Sequence, residues 1–242
     1  MKIAVIIPAR YQSSRLVGKP LIKIHGIPMI IRTYNQCCKA IDPKFIFVAT
    51  DNIKIRKECE STGIKVIMTS KNCLTGTDRV FEASKKIKAN TYINVQGDEP
   101  LLNPIDLTLL IKEAKKYPNE IISGYCDIKN EKEYRNFNIP KIIKSKKNYL
   151  LYASRASIPF NKKNKFMKAW RQVCIYAFPK KTLKIFYTQK KKTQIESIED
   201  IEYLRFLELG YKIKTLKMSD RSIAVDTKED LKKVRKVLNY KK

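Results

Sequence analysis

The chain has 242 residues, and its 51 Lys and Arg against 23 Asp and Glu give a formal net charge of +28. This length, with 43% hydrophobic residues, is typical of one folded α/β domain and argues against disorder. One His and six Cys without a CxxC pair exclude an ordinary zinc site, and no apolar run is long enough to span a membrane.

The first half of the chain alternates between strand-like and helical patterns. Apolar runs predict four strands, over residues 2–7, 45–50, 64–68 and 91–96. Periodic stretches predict helices over residues 27–40, 53–62, 77–87 and 103–117. Thr77 is the predicted cap of the third helix, and the fourth begins near Asn103. This alternation indicates βαβ units, and hence a mostly parallel sheet that binds ligands at the carboxyl ends of its strands.

The pattern changes at about residue 120, where short strand-like runs follow one another with few helices. We predict an inserted antiparallel β lobe over about 120–180. A periodic helix over 196–210, strands over 211–218 and 221–225, and a helix over 227–239 capped by Thr227 follow. The predicted fold is therefore a single domain over 1–242, with a mostly parallel, Rossmann-like sheet flanked by helices and a smaller antiparallel lobe.

The loop after the first predicted strand, PARYQSSRLVGK (8–19), brings three cations together. Arg10, Arg15 and Lys19 repel one another unless an anion joins them, and Ser13 and the loop amides add hydrogen-bond donors. A loop that wraps these groups inward would bind a polyphosphate. The alternative is a basic surface turn, because the loop matches neither the GxxxxGKS nor the GxGxxG phosphate motif.

Two aspartates follow predicted strands. Asp98 lies in NVQGDEP (94–100), and Asp226 lies in SIAVDTKEDL (222–231). Carboxylates at strand ends, completed by water and phosphate oxygens, suit Mg²⁺, which is a hard cation. The alternatives are an acidic turn at Asp98 and ordinary helix capping at Asp226.

These motifs, with TGTDR (75–79), YASRASIP (152–159) and IEYLRFLELG (201–210), occur in the order and spacing of a known family. The chain resembles the 3-deoxy-manno-octulosonate cytidylyltransferases, or CMP-Kdo synthetases, over nearly its whole length. The resemblance implies transfer of CMP from CTP to the anomeric hydroxyl of 3-deoxy-manno-octulosonate, giving CMP-Kdo and pyrophosphate. It also implies Mg²⁺ as cofactor, and a homodimer in which the lobe over about 120–180 takes part in sugar binding and in the dimer contact. The implied product serves lipopolysaccharide or capsule. We expect the reducing cytoplasm as the setting, with free thiols.

The resemblance implies roles for individual residues as well. The triphosphate of CTP would contact Arg10, Ser13, Arg15 and Lys19, and Mg²⁺ would bind Asp98 and Asp226. The nucleotide would also lie near Thr75, Gly76, Arg79 and Gln96. The acid sugar would contact Gln96, Arg155, Gln172, Tyr176, Glu196 and Glu199, with Arg155 on its carboxylate. Of these residues, Arg10, Arg15, Lys19 and Asp98 would be catalytic.

Two departures from the family pattern keep the identity of the sugar open. Gln172 stands where the family has His, and Cys174 stands where it has Gly. A further departure, Cys73–Leu74–Thr75–Gly76 in place of the family's His–x–Ser–Gly, concerns the nucleotide contacts of that loop. Glu202 is expected on a solvated helix face. The alternative substrates are a sialic-acid-like nonulosonate and an amino-substituted octulosonate.

The positive charge leaves one alternative of a different class. Its lysines are scattered, and no base-stacking aromatic module accompanies them, as would be usual for RNA binding. We interpret the charge as a solvated surface and expect no specific nucleic acid. A basic nucleic-acid-binding protein is the remote alternative.

Overall fold

A computed structural model describes residues 2–12 and 16–239. Eleven strands are present in these residues: β1 (Ile3–Ala9), β2 (Lys23–Ile24), β3 (Ile27–Pro28), β4 (Ile46–Thr50), β5 (Val66–Met68), β6 (Thr91–Val95), β7 (Ile121–Asp127), β8 (Lys141–Lys144), β9 (Leu150–Ser154), β10 (Trp170–Pro179) and β11 (Ile213–Lys217). The α-helices of the same residues are α1 (Met29–Cys38), α2 (Ile53–Glu60), α3 (Gly76–Ser84), α4 (Pro104–Lys116), α5 (Glu131–Arg135), α6 (Lys180–Thr188), α7 (Gln194–Glu199), α8 (Leu204–Glu208) and α9 (Lys228–Asn239). Two short 3₁₀ helices cover Lys19–Leu21 and Pro43–Phe45.

The central sheet has the strand order β11-β7-β10-β6-β1-β4-β5. Its β6, β1, β4 and β5 strands are parallel neighbours, and β11 is parallel to β7. All seven residues of β1 are buried, as expected for a strand covered by helices on both faces of a sheet. The predicted class, a mostly parallel sheet flanked by helices with an antiparallel part, is confirmed.

Alternation along β1 separates the core into two layers. Ile3, Val5 and Ile7 face the layer that contains α1, α2 and α4, whereas Ala4 and Ile6 face the layer of α3, α6 and α8. Successive side chains of a strand point to opposite faces, so one buried strand serves both layers. The sheet is thus held between helices, and only its strand ends are available for a ligand.

The antiparallel part is continuous with this sheet. β10 runs antiparallel to both β6 and β7, and β8 and β9 extend from β10 in a further antiparallel pair. The strand-like runs predicted after residue 120 are therefore present. The first and last of them complete the central sheet, while the boundaries of a separate lobe stay a prediction.

Three local predictions were wrong. The helix over 196–210 is interrupted, because Asp200 has a left-handed backbone (φ 50°) and its carbonyl accepts a hydrogen bond from Arg155 (3.1 Å). Residues 221–225 form no strand, although Val225 donates its amide to the Asp98 carbonyl (3.0 Å). Thr75 rather than Thr77 caps α3, since its hydroxyl accepts from the Asp78 amide (3.2 Å).

Two further features concern the setting of the protein. The six cysteines are free thiols. In the part of the chain that the structure describes, no helix combines the length and the apolar character needed to cross a bilayer.

Candidate active site

The candidate site is a cleft of about 900 Å³ at the carboxyl ends of β1 and β6. These two strands are parallel neighbours, so the loops that follow them meet at one edge of the sheet. Arg10 comes from the first loop, and Gln96, Asp98 and Glu99 come from the second. The cleft is the place where the sequence predicted convergence.

Gly97 allows these two loops to approach each other closely. A Cβ atom at this position would lie 2.7 Å from the carbonyl oxygen of Pro8, a distance that backbone atoms do not tolerate. The carbonyl of Gly97 also accepts a hydrogen bond from the Thr33 hydroxyl (3.1 Å) of α1. Asp98, the next residue, is therefore presented from a fixed turn.

Lys19 joins the two predicted metal ligands. Its Nζ lies 2.5 Å from Oδ2 of Asp98 and 3.3 Å from Oδ1 of Asp226, and all three side chains are at most 30% exposed. Burial alone would lower the pKa of Lys19, but attraction by the two carboxylates outweighs it and raises the pKa. The structure thus brings residues 19, 98 and 226 together from three separate segments.

Asp226 is positioned by the helix that follows it. Val225 is fully buried against Leu231 and Val234 of α9. The hydroxyl of Thr227 accepts from the Asp230 amide (3.2 Å), so Thr227 caps α9. Asp226 is therefore not required as the cap, and its carboxylate contacts Lys19.

The donor set of this pair fits a hard divalent cation. Asp98 and Asp226 supply carboxylate oxygens that already share one cationic partner, the ammonium of Lys19. No group of three or more His, Cys, Asp or Glu side chains suited to a metal is found in residues 2–12 and 16–239. A Mg²⁺ ion here would take two ligands from this pair and complete its shell with water and substrate oxygens.

Glu99 is a buried acid to which the sequence assigned no role of its own. It is 3% exposed, and its carboxylate accepts a short hydrogen bond from the Ser222 hydroxyl. Burial, with a smaller contribution from Asp98, raises the pKa of Glu99 to about 7. Glu99 thereby connects the turn after β6 with the segment that leads to Asp226.

Four residues meet at the beginning of α3. Glu202 accepts hydrogen bonds from the amides of Gly76 (3.0 Å) and Thr77 (2.9 Å). A Cβ atom at Gly76 would lie 3.0 Å from Oε1 of Gln96, so any larger residue would require that side chain to shift. Thr75, Gly76, Gln96 and Glu202 all line the cleft. The expectation that Glu202 is solvated was wrong, because the interruption after α7 turns it inward, and burial raises its pKa.

Arg79 lines the cleft, but its guanidinium is committed to the protein. It is 3% exposed and donates to the carboxylate of Asp51 (3.0 Å) and the hydroxyl of Thr69 (2.6 Å). These partners follow β4 and β5. Arg79 therefore braces the loops at this end of the sheet, and its implied contact with a nucleotide stays a prediction.

Arg155 lies at the end of β9 and lines the cleft. Its side chain donates to the carbonyls of Glu199 (2.6 Å), Asp200 (3.1 Å) and Phe137 (3.2 Å). A guanidinium has five N–H donors, so these three bonds fix its position without using its full capacity.

Lys141 supports the same wall and was also missed. Its side chain is fully buried, and Nζ donates to the carbonyls of Asn136 (2.9 Å), Ile139 (2.7 Å) and Arg155 (2.6 Å). Burial, followed by repulsion from Arg155, lowers the pKa of Lys141 to about 8. The predicted strand-like run NIPKIIKS (138–145) contains two lysines, and nothing in its sequence distinguishes the buried Lys141 from Lys144.

Glu196 and Glu199 lie outside the cleft. Glu196 is fully buried, and its two oxygens lie 2.6 and 2.7 Å from Arg205. Glu199 accepts from the hydroxyl of Ser154 (2.6 Å) and the amide of Arg155 (2.8 Å). Both carboxylates therefore organise the protein behind the cleft, and their implied contact with a sugar stays a prediction.

Gln172 and Tyr176 lie in the cleft wall on β10. Gln172 donates a short hydrogen bond to the Tyr176 hydroxyl, and both side chains are buried. Cys174, between them in sequence, also lines the cleft, and burial raises its pKa well above the usual range. The positions at which the chain departs from the family pattern are thus part of the cleft surface.

Of the remaining predicted residues, one is described by the structure and two are not. Arg10 is exposed and lines the cleft. Ser13 and Arg15 lie outside the described residues. Lys192 adds a further cation to the lining and pairs with Asp200 (2.7 Å), whose pKa is lowered mainly by this contact.

Comparisons with known proteins agree over the whole chain. A sequence model of the family described as Cytidylyltransferase matches residues 4–214. The 3-deoxy-manno-octulosonate cytidylyltransferase of Fusobacterium nucleatum is 39% identical over 242 residues, covering 99% of this chain and 97% of the relative. The 8-amino-3,8-dideoxy-manno-octulosonate cytidylyltransferase of Shewanella pealeana is 37% identical and covers 96% of both chains.

A solved structure leads to the same family. It is described as CMP:2-keto-3-deoxy-manno-octonic acid synthetase complexed with CTP, and it matches this fold with a TM-score of 0.91. Its sequence is 32% identical, and the match covers 100% of both chains. The chain therefore belongs to the cytidylyltransferase family, as a nucleotidyltransferase of the 3-deoxy-manno-octulosonate cytidylyltransferase group.

Proposed function

We propose that this enzyme transfers CMP from CTP to the anomeric hydroxyl of 3-deoxy-manno-octulosonate (Kdo), giving CMP-Kdo and pyrophosphate. The observation that carries the proposal is the meeting of Lys19, Asp98 and Asp226 at the carboxyl ends of the central strands. This is a charged centre suited to a phosphate chain and its counter-ion. The Fusobacterium nucleatum relative and the CTP-complexed homologue support the choice of nucleotide and sugar.

The nucleotide end of the cleft contributes positive charge to the triphosphate and aligns the two substrates. Arg10 and Lys19 line the cleft and would neutralise a triphosphate there, and the same role for Arg15 stays a prediction. Attack of the anomeric hydroxyl on the α-phosphorus expels pyrophosphate, so negative charge accumulates on the leaving group. Cations fixed at that end stabilise it, and the enzyme otherwise contributes the alignment of the two substrates.

Asp98 and Asp226 are the residues that we propose hold Mg²⁺. The amide of Val225, the residue before Asp226, donates to the Asp98 carbonyl (3.0 Å) and ties the two segments together. When bound, the ion would supply Lewis-acid neutralisation of phosphate charge next to the attacking hydroxyl. The two carboxylates hold that position because both are anchored through the backbone.

The sugar end of the cleft is built around Arg155. Its three bonds to carbonyls leave two N–H donors, which suits a carboxylate. Gln172 and Tyr176 offer hydrogen bonds to hydroxyl groups of the sugar. Since an amide does not titrate, Gln172 orients the sugar and transfers no proton.

A panel of acid sugars with CTP tests the proposed reaction. Kdo, its 8-amino-8-deoxy analogue and a sialic acid are compared by the rate of pyrophosphate release. We expect the highest kcat/KM with Kdo. The Shewanella pealeana relative makes the amino sugar the second candidate, and a higher kcat/KM with that sugar would reassign the substrate. Release with none of the three would reject the proposal.

We also propose a cytoplasmic homodimer. β9 pairs only with β8 among the strands of the described residues, which leaves one edge of β9 available. Leu151 on β9 is 60% exposed and Ile198 on α7 is 75% exposed, and Tyr152 of β9 bonds Glu199 of α7 (3.2 Å). An apolar edge of this kind suits a second copy. Sedimentation should give twice the chain mass, and Leu151→Asp should shift it toward the monomer.

A further inference from the structure

The side chain of Lys19 occupies the space between the two proposed metal ligands. Its ammonium contacts Oδ2 of Asp98 at 2.5 Å and Oδ1 of Asp226 at 3.3 Å. Mg²⁺ binds carboxylate oxygens at about 2.0–2.1 Å, so an ion that bridges this pair needs nearly the same place. Two cations at one place repel each other, and the ammonium must leave before the ion enters.

The carboxylates do not depend on Lys19 for their position. The Val225 amide bonds the Asp98 carbonyl (3.0 Å), and Gly97 packs against the Pro8 carbonyl. The segments that carry the pair therefore stay close when the ammonium is removed, and loss of one cation from two neighbouring carboxylates strengthens their attraction for a divalent ion.

The backbone of Lys19 is also fixed, so only its side chain has freedom to move. Its amide donates to the Leu16 carbonyl (3.1 Å), and its own carbonyl accepts from the Ile22 amide (3.1 Å). The four-carbon stem of a lysine carries a compact charge through an arc without moving the main chain. A phosphate chain next to the pair would give the displaced ammonium a new anionic partner.

We propose that Lys19 is a built-in counter-ion that excludes the divalent metal from Asp98 and Asp226 until a polyphosphate draws its ammonium away. The inference rests on the proposed function for the identity of that polyphosphate and for the metal ligands. Metal loading of the nucleotide-free protein is therefore weak, and metal and nucleotide favour each other's binding.

Binding of Mn²⁺ alone to the nucleotide-free protein tests the inference. Titrations followed by electron paramagnetic resonance compare the wild type with Lys19→Met, which keeps the length of the side chain and removes its charge. We expect Lys19→Met to bind Mn²⁺ at least about tenfold more tightly, within the roughly 5–150-fold range of coupled sites. Equal or weaker binding by Lys19→Met would overturn the proposal.

Lys192→Met is the matched control. Lys192 lines the same cleft, but it pairs with Asp200 (2.7 Å) instead of the two proposed ligands. Its loss removes the same charge from the cleft, so we expect less than about a twofold change in Mn²⁺ affinity. A gain as large as that of Lys19→Met would mean that overall charge, and not displacement, governs the affinity.

Thermal unfolding gives a second readout of the same variants. Without metal, Lys19→Met should melt below the wild type, and millimolar Mg²⁺ should raise its Tm more than that of the wild type. If Lys19→Met does not fold, Lys19→Gln takes its place in both measurements. Neither experiment contains CTP or sugar. If Lys19→Met gains Mn²⁺ affinity but the wild type shows no transferase activity, the proposed reaction is rejected and the inference about Lys19 stands.

Discussion

The ammonium of Lys141 lies 2.6 Å from the carbonyl oxygen of Arg155, although Lys141 is fully buried and Arg155 borders the cleft. The same ammonium bonds two carbonyls of the loop at residues 136–139. A charge from within the protein therefore fixes the wall that we propose receives the sugar.

Replacing Lys141 by Met should affect sugar binding more than nucleotide binding. The change leaves three carbonyls without their donor and releases the loop that carries Arg155, so we expect KM for the acid sugar to rise about tenfold. KM for CTP should change less than about twofold. Steady-state kinetics measures both, with Lys144→Met, on the same strand, as control. Equal increases in the two KM values would contradict a role at the sugar end.

Lys141 should also make stability depend on pH. Its pKa is lowered from 10.5 to about 8 in the folded protein, so between these values the unfolded chain binds more protons. The free energy of unfolding of the wild type, relative to Lys141→Met, should therefore rise as the pH increases from 8 toward 10.5. Urea unfolding of both proteins at several pH values measures this difference. A constant difference would show that the ammonium titrates alike in both states.

Asp98→Asn should remove turnover while leaving the fold intact. The amide cannot neutralise a divalent ion or pair with the ammonium of Lys19, and loss of such a contact costs about 10²–10³ in rate. We expect the same loss for Arg15→Ala. Pyrophosphate release and circular dichroism measure activity and folding. Asp127→Asn, whose partner is the exposed Lys217 (2.7 Å), is the control with the same change of charge.

Glu196→Gln should destabilise the protein without weakening sugar binding. Glu196 and Arg205 are both fully buried, and breaking a buried ion pair costs about 3 kcal/mol. Asp78, at 3.0 Å, remains as a partner of the arginine. Denaturant unfolding should therefore show a large loss, and KM for the sugar should stay within about twofold of the wild-type value. An increase in that KM at unchanged stability would instead assign Glu196 to the sugar.

Two glycines of the cleft should differ in their tolerance of alanine. At Gly97 the added Cβ atom meets the backbone of Pro8 at 2.7 Å, whereas at Gly76 it meets the side chain of Gln96 at 3.0 Å. A side chain moves more easily than a backbone, so we expect Gly97→Ala to lower stability by about 1–3 kcal/mol. Gly76→Ala should mainly lower kcat. Denaturant unfolding and steady-state kinetics of both variants test this prediction. A larger loss of stability in Gly76→Ala than in Gly97→Ala would contradict it.

Parallel strands made part of the site predictable from the sequence. Asp98 and Asp226 each follow a buried segment, and strand ends of a parallel sheet share one edge, so their convergence with Lys19 was expected. The strand prediction before Asp226 was wrong, yet the expected position held. Burial of Val225 and its bond to Asp98 replace the missing ladder.

The positions of Glu202 and Glu196 were not predictable, because they depend on contacts that the local sequence pattern does not specify. Glu202 lies on the polar side of a periodic pattern, but its partners are Gly76 and Thr77, more than 120 residues away. Arg205, in the same predicted helix, withdraws Glu196 from the cleft because the interruption after α7 lets the two side chains meet. Helical spacing gives no information about such contacts, since it specifies which residues share a face and not what that face meets.

The position of Asp226 has a consequence for how the polypeptide becomes active. The stretch shared with the cytidylyltransferase family model ends at residue 214, and the second carboxylate lies twelve residues beyond it, immediately before α9. A polypeptide cut at residue 214 would keep every strand of the central sheet except the end of β11, yet it would lack one of the two carboxylates that we propose hold Mg²⁺. The proposed metal site is thus completed by a segment that is synthesised after the sheet on which it lies.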